Sequence, residues 1–375
     1  MKRAITYAAL LILLILILTL LCGRQNAVKK ILKEAIKAPL KEAVLNERRD
    51  YVMRLPQPGE KRKEYNYSVY IIKADASGNA QWIRTYSTGN NDWAEAVYPL
   101  DDGGAIIAAR SYSSDEGYLG MYLLKVGSGG EKISVTWFNE LKDGDFKEKS
   151  GDCVISAGRA YSGGASGGAY LAGTGKDGNY KWVRNFGAGY FDWGYTSLWV
   201  GDGHFVTIAQ DDTPSPGNEA FVIAQRDSHG KYDWSRRFGG DKSDRGYSIE
   251  PVRAGGFIAA GLTYSFGAGN DDAYIIRLND DGQKIWEKYY GMAGHDRAYD
   301  AVETADNGFI AAGTTDSIGA GNYDAYIIKM DADGNLQWQK TYGGQYDDTA
   351  HAVAATKDGG FIAAGATDSF MPEKI

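Results

Sequence analysis

DRAYDAVETADNGFIAAGTTDSIGAGNYDAYIIKMDADGNLQWQKTYGG, residues 296–344, is the stretch whose reading decides the fold. Nearly the same text precedes it, ending at Gly291, and its first half returns at Asp348–Ser369. Trp234, Trp286 and Trp338 stand 52 residues apart, as do Asp192, Asp244, Asp296 and Asp348. Each unit holds four short apolar runs separated by Gly- and Asp-rich turns, so a repeat of about 50 residues reads as one blade of a β-propeller. Continuous runs such as Phe361-Ile362-Ala363-Ala364-Gly365 suit strands covered on both faces by neighbouring blades. The more polar run carrying Trp338 and Tyr342 suits an outer edge strand, with the aromatic rings packed on the next blade.

Counting half-units predicts the closure. The Trp-bearing half occurs six times, at Trp82, Trp137, Trp182, Trp234, Trp286 and Trp338, and the Gly-Gly half six times, around Gly104, Gly151, Gly203, Gly256, Gly308 and Gly360. Tyr65–Tyr86 has no first half before it and Ala350–Ser369 has no second half after it, so the two ends are expected to complete one four-stranded blade, two strands from each. The expected fold is all-β: a six-bladed propeller over residues 65–375. The second and third units are irregular, with an insertion around Gly127–Lys132 and Cys153 in place of the usual Phe.

The repeats resemble those of exported bacterial and archaeal β-propellers built from DGGFIAAG, GAGNYDAYIIK and DGNLQWQKTYGG segments. The Asp-x-x-Gly-x-x-x-Trp stretch is also similar to quinoprotein and kelch-like propellers. The resemblance runs from Tyr65 to Ser369. It implies the fold and export, and an interaction module rather than one defined activity, since function sits in sites grafted on folds.

Before the repeats, Met1-Lys2-Arg3 and the uncharged run Ala4–Leu21 make residues 1–22 a signal peptide or membrane anchor. Cys22-Gly23 stands where a bacterial lipoprotein is cleaved and lipidated, although Leu21 occupies the position that usually needs a small residue; lipidation at Cys22 and an uncleaved anchor both remain open. Residues 23–64 are expected to form an amphipathic helical stalk, over about 26–47, and a charged Pro-containing linker, over 50–64. The basic residues after the apolar run favour a cytoplasmic C-terminal side, whereas the signal-like start and the resemblance favour export. Export is the preferred reading, with the propeller extracytoplasmic at the cell membrane or envelope.

Residues 1–64 hold 14 Lys/Arg against 6 Asp/Glu, a balance of +8, and the remainder carries −15. An acidic body argues against nucleic acid as a partner. Two distant cysteines give no disulfide framework, and four scattered histidines give no metal spacing. Asp-x-Asp-Gly turns such as Asp331-Ala332-Asp333-Gly334 are similar to calcium loops, but two acids are too few for that ion, and a plain hairpin turn is preferred. No cofactor or metal is expected.

The candidate site is the mouth of the central channel, on the face where the innermost strands begin. The recurrent Asp of each repeat, Asp348 among them, stands there. One residue on come Trp93, Trp193, Arg245 and Arg297, and three residues on come Glu95, Tyr195, Tyr247, Tyr299 and His351. Aromatic rings, acids and guanidinium groups around a funnel suit a protein, peptide or glycan ligand held by stacking and hydrogen bonds. The competing and preferred reading of the Asp itself is a loop cap, because it recurs in every regular repeat. No nucleophile elbow, zinc-protease motif or phosphate loop is present. The expected function is therefore a membrane-tethered, non-catalytic binding platform. The alternatives are a glycan-processing hydrolase using carboxylates such as Glu95 and Asp348, and a purely structural scaffold.

Overall fold

The computed structural model describes residues 67–113, 117–138, 154–162, 166–174, 180–186, 193–211, 219–227 and 231–375. The described backbone is all β-strand and turn, without a helix. β1 (Ser68–Ala74) and β2 (Ala80–Ser87) form a hairpin. β3 (Asn91–Pro99), β4 (Ala105–Ser113), β5 (Gly117–Val126) and β6 (Lys132–Phe138) make a four-stranded sheet in chain order. β7 (Val154–Ser162), β8 (Ser166–Thr174) and β9 (Tyr180–Phe186) follow as three strands. A sheet of four comes next: β10 (Trp193–Gly201), β11 (His204–Asp211), β12 (Ala220–Arg226) and β13 (Tyr232–Phe238). Another contains β14 (Asp244–Pro251), β15 (Phe257–Thr263), β16 (Asp272–Leu278) and β17 (Lys284–Tyr290). The stretch quoted first supplies β18 (Asp296–Glu303), β19 (Phe309–Thr315), β20 (Asp324–Met330) and β21 (Leu336–Tyr342). The chain ends with β22 (Asp348–Ala355), β23 (Phe361–Thr367) and the two-residue β24 (Glu373–Lys374).

These repeated antiparallel sheets make a propeller-like arrangement. Burial follows the expected gradient, with no exposed side chain in β15, β16, β19, β20 or β23 and exposed residues at the start of β17 and β21. The first strands β3, β22, β18, β14 and β10 lie side by side in that order. The apolar core is consequently a series of slabs between sheets rather than one central mass. One slab joins Ile258, Ala260 and Ile275 to Ala311, Tyr326 and Ile328, and another joins Val206, Ile208 and Ile223 to Ala259, Tyr274 and Ile276.

In three of the sheets the outer Trp ties the sheet to the next, and the outer Tyr does too. Trp286 Nε1–H donates to the Ala332 carbonyl (3.0 Å), Trp338 to Ala76 (3.2 Å) and Trp82 to Ser128 (2.7 Å). Tyr290 and Tyr342 hydroxyls donate to Gly334 (2.5 Å) and Gly78 (2.6 Å) in the same turns.

The two chain ends share a sheet: β1 pairs antiparallel with β23 over Ser68–Ala74 and Phe361–Thr367. That sheet has five strands, not the expected four. β24 adds parallel to the outer edge of β2, so the order is β22-β23-β1-β2-β24. The cause is apolar. Phe370 stacks on Tyr70 with ring centres 5.6 Å apart, and Ile375 packs against the apolar cluster that contains Val69 and Tyr86. Its N–H donates to Ser87 (2.9 Å), so the tail covers an edge that would otherwise lie open.

The apolar segment 1–22, Cys22, the stalk and linker 23–64, and Cys153 lie outside the described residues. Among the described residues no helix is long and apolar enough to cross a membrane.

Candidate functional site

The first strands β3, β10, β14, β18 and β22 carry the same irregularity. The pairing register slips between Ala94 and Ala96, Gly194 and Thr196, Gly246 and Ser248, Ala298 and Asp300, and Ala350 and Ala352. The skipped residues are Glu95, Tyr195, Tyr247, Tyr299 and His351. A bulged residue has no partner across the ladder and is re-aimed out of the strand. Five of the sequence-predicted residues are thus the bulges themselves.

Three of them, Tyr247, Tyr299 and His351, are in ring contact across successive sheets. The rings of Tyr247 and Tyr299 lie 5.3 Å apart, and Tyr299 meets His351 edge-on at 5.4 Å. His351 Nδ1 contacts the Ala94 carbonyl at 3.1 Å; a carbonyl only accepts, so this nitrogen carries the proton. Nε2 then accepts from the Thr349 hydroxyl (3.1 Å). Burial, against the pull of nearby Glu95, lowers the His351 pKa. Glu95 pairs with Arg110 at 2.6 Å, and the Arg110 guanidinium lies 5.1 Å over the Trp93 ring, which leans on Tyr67. Trp193 and Tyr195 occupy the matching places of β10, where only the backbone is described.

The remaining predicted residues hold sheets together. Arg245 Nε donates to Glu219 (2.5 Å) and Arg297 Nε to Asp271 (2.6 Å), each reaching back to the head of the preceding sheet's third strand. Burial works against the Arg297 charge, but the Asp271 carboxylate outweighs it and raises the pKa. Asp271 is fully buried and also binds His295 Nδ1.

Asp348 is removed from the exposed set. It has no accessible surface, and its carboxylate accepts from Gly344 N–H (2.8 Å), Ser369 Oγ (2.6 Å) and Thr367 Oγ1. Burial pushes its pKa up to about 6. Asp92, Asp244 and Asp296 are buried in the same way, each accepting from a loop N–H four residues before it. The recurrent Asp is therefore a buried loop cap, and Asp348 is not exposed beside Glu95. On the opposite face, Asp75 and Asp331 turn their carboxylates onto their own turns, accepting from Asn79 and Asn335. These bonds lower both pKa values. Among the described residues no cluster of three or more His, Cys, Asp or Glu is placed to hold a metal.

Sequence reasoning passed over Arg110, Asp271, His295, Glu250 and Asp300. A signal existed in the aligned repeats: Asp271 and His295 stand where the next unit has Tyr323 and Asp347, and Asp300 where its neighbours have Ser248 and Ala352. Asp300 Oδ2 accepts from Val353 N–H (2.9 Å), which points away from β23 and so lies on the free edge of β22. Burial pushes Asp300 up to about 6 against the pull of the Val353 and Ala301 N–H groups. Burial first, and the Asp300 charge second, raise Glu250 well above the usual carboxylate range.

No family model and no curated protein matches the chain. Among solved structures it is similar to a eukaryotic initiation factor, with 10% identity and a TM-score of 0.29 over 77% of this chain and 60% of that one. It is also similar to a puromycin hydrolase, with 15% identity and a TM-score of 0.36 over 80% of this chain and 49% of that one. A mutant of a puromycin hydrolase complexed with PGG gives 14% identity and a TM-score of 0.37, again over 80% and 49%. The chain spans between about half and three-fifths of the length of these proteins.

Proposed function

We propose that the chain is a closed six-bladed β-propeller, tethered at the cell membrane or envelope through residues 1–64, that binds a protein, peptide or glycan at the mouth of its channel. The observation that carries this reading is the convergence of bulged residues from successive sheets. Tyr247, Tyr299 and His351 are in ring contact, and the bulged Glu95 pairs with Arg110, whose guanidinium lies over the Trp93 ring; this supports a ligand-binding face there. Six sheets and the β1–β23 pairing support the closed ring. The tether rests on the apolar run Ala4–Leu21, with Cys22 as its lipid attachment point if the leader is cleaved, and export on the resemblance of the repeats.

The double variant Trp93→Ala, Tyr299→Ala tests the mouth. Screened against glycan and peptide arrays, the wild-type chain should yield a ligand whose affinity falls about tenfold or more in the variant, with thermal unfolding shifted by only a few degrees. Retained affinity places the ligand elsewhere. Mass spectrometry of the mature N-terminus, with protease accessibility in intact cells, tests the tether.

A further inference from the structure

We infer that the outer edge of β17 is a second binding site, separate from the mouth. Its ligand is an extended peptide segment that adds parallel to β17 and places a glutamate side chain in the cavity between β17 and β21.

The chain carries its own example of such a strand. β24 lies parallel to the outer edge of β2, pairing Glu373 with Tyr86 and Lys374 with Ser87, and the Ile375 N–H donates to the Ser87 carbonyl. Thr85 Oγ1 donates to the Met371 carbonyl (3.0 Å). Ile375, half-buried, packs against the cluster that holds Tyr86, and Val135 of the next sheet packs against the same cluster. Its seat therefore lies between the end of one outer strand, β2, and the outer strand of the neighbouring sheet, β6.

The repeat builds an equivalent seat between β17 and β21. Trp286, Tyr290 and Gly291 align with Trp82, Tyr86 and Ser87, and Leu336 and Gln339 align with Lys132 and Val135. At this place there is a cavity of about 360 Å³, whose lining includes Lys288, Tyr290, Gly291, Leu336 and Gln339. β17 is the last strand of its sheet, so its outer ladder groups face no described strand. An unpaired ladder beside a cavity offers a peptide both backbone hydrogen bonds and a pocket for one side chain. The approach to it is apolar. Phe266 aligns with Phe370 and stacks on Tyr289 with ring centres 4.9 Å apart, yet it is 37% exposed where Phe370 is 8%.

The walls select the side chain. The β2 seat takes an aliphatic residue where Arg84 and Glu131 both act on Tyr86, a wall with balanced charge. At the cavity, Lys288 stands for Arg84, Asn335 for Glu131 and Gln339 for Val135. The cation is kept, the acid becomes an amide, and the aliphatic wall becomes a second amide. Lys288 Nζ donates to Asn335 Oδ1 at 3.4 Å, a long bond to a neutral acceptor. Asp331 also acts on this ammonium, but its carboxylate accepts from Asp333 and Asn335 in its own turn. A guest carboxylate on Lys288 supplies the charge that Glu131 gives the β2 seat. The methylenes of a glutamate would cover Leu336, which is 47% exposed.

The test titrates the full chain, in a nonionic detergent at low salt, with fluorescein-labelled Met-Pro-Glu-Lys-Glu and reads fluorescence anisotropy. This probe is the 371–375 segment with its last residue changed; a partner probe keeps the Ile. Both are amidated at the C-terminus, so that the last side chain alone makes the difference. The wild type should bind the Glu probe saturably and the Ile probe about fivefold more weakly or worse. Methylating the backbone nitrogen of the last residue removes the donor that Ile375 offers Ser87, and should abolish binding. Lys288→Met keeps the stem without the charge and should bring the two probes to equal affinity with thermal unfolding unchanged. Arg84→Met, at the β2 seat, should leave the preference for the Glu probe intact. Absence of saturable binding, equal affinity of the two probes for the wild type, or indifference to N-methylation overturns the inference, and these arms need no variant. A preference that survives Lys288→Met, or is lost in Arg84→Met, places the peptide outside the cavity and overturns it too.

Discussion

Gly334 sits in the turn between β20 and β21 for two separable reasons. Its φ is +76°, a conformation most side chains avoid, and a Cβ there would lie 2.9 Å from the Trp286 ring of the preceding sheet. Gly359, with φ +84°, has nothing within 4 Å of the same construction. Gly359→Ala should therefore cost about 1 kcal/mol, for the backbone alone, and Gly334→Ala about 2–4 kcal/mol because the Trp latch must also move. Urea denaturation of the two variants makes the comparison. Equal costs would mean that the Trp contact adjusts freely and does not constrain the turn. Asp348 shows the limit of reading one residue by its type. An acid at the start of an inner strand looks available to a ligand, yet the Gly344 N–H and two hydroxyls take its oxygens and withdraw it from solvent.

At the level of strands, the bulges and the tail matter most. A period-2 alternation cannot announce an extra residue, because the bulge depends on what the partner strand does across the ladder. Without the slip at Tyr299, Asp300 would swap faces and lose the Val353 N–H. The C-terminal tail was equally hidden, since Phe370-Met371-Pro372 contains a strand-breaking Pro and no alternation. Phe370 nevertheless is almost fully buried on Tyr70 and anchors β24 over β2. Phe370→Ala should destabilise the protein by about 2–4 kcal/mol. Hydrogen exchange should speed up first in β2, at Tyr86 and Ser87, where the tail bonds. Uniform acceleration across all sheets would instead mean that the shared sheet opens only with global unfolding.

For the molecule as a whole, the buried acids set the pH response. Asp300 and Asp348 are pushed up to about 6, and Asp92, Asp244, Asp272 and Asp324 are raised as well, in each case by burial. A carboxyl whose folded pKa is raised favours the folded state when protonated. That contribution is complete below about pH 4 and is lost as pH rises through about 6. For Asp300 or Asp348 it amounts to about 2–3 kcal/mol. Asp306 acts in the opposite sense: hydrogen bonds from Thr304 and Lys329 outweigh its desolvation and hold it to about 2, so its contribution fades only below pH 4. Stability should accordingly peak near pH 4–5 and fall toward pH 8, and Asp300→Asn should flatten part of that fall. Thermal unfolding measured across this range checks it; a steady rise in stability from pH 4 to pH 8 would contradict the burial of these groups.

The 52-residue text, its Gly and Asp turns and its unmatched half-units determined by themselves that the chain makes repeated four-stranded sheets and that its ends share one of them. These follow from local periodicity and from the need to cover strand edges, which every copy of the repeat expresses alike. The candidate site was legible only as a set of positions. Which of those side chains stand free, which are spent between sheets and which acids lie below was decided by tertiary structure. The partners come from neighbouring repeats: Arg297 meets Asp271, His351 meets Ala94, and Asp300 meets Val353 across a boundary that no single repeat contains.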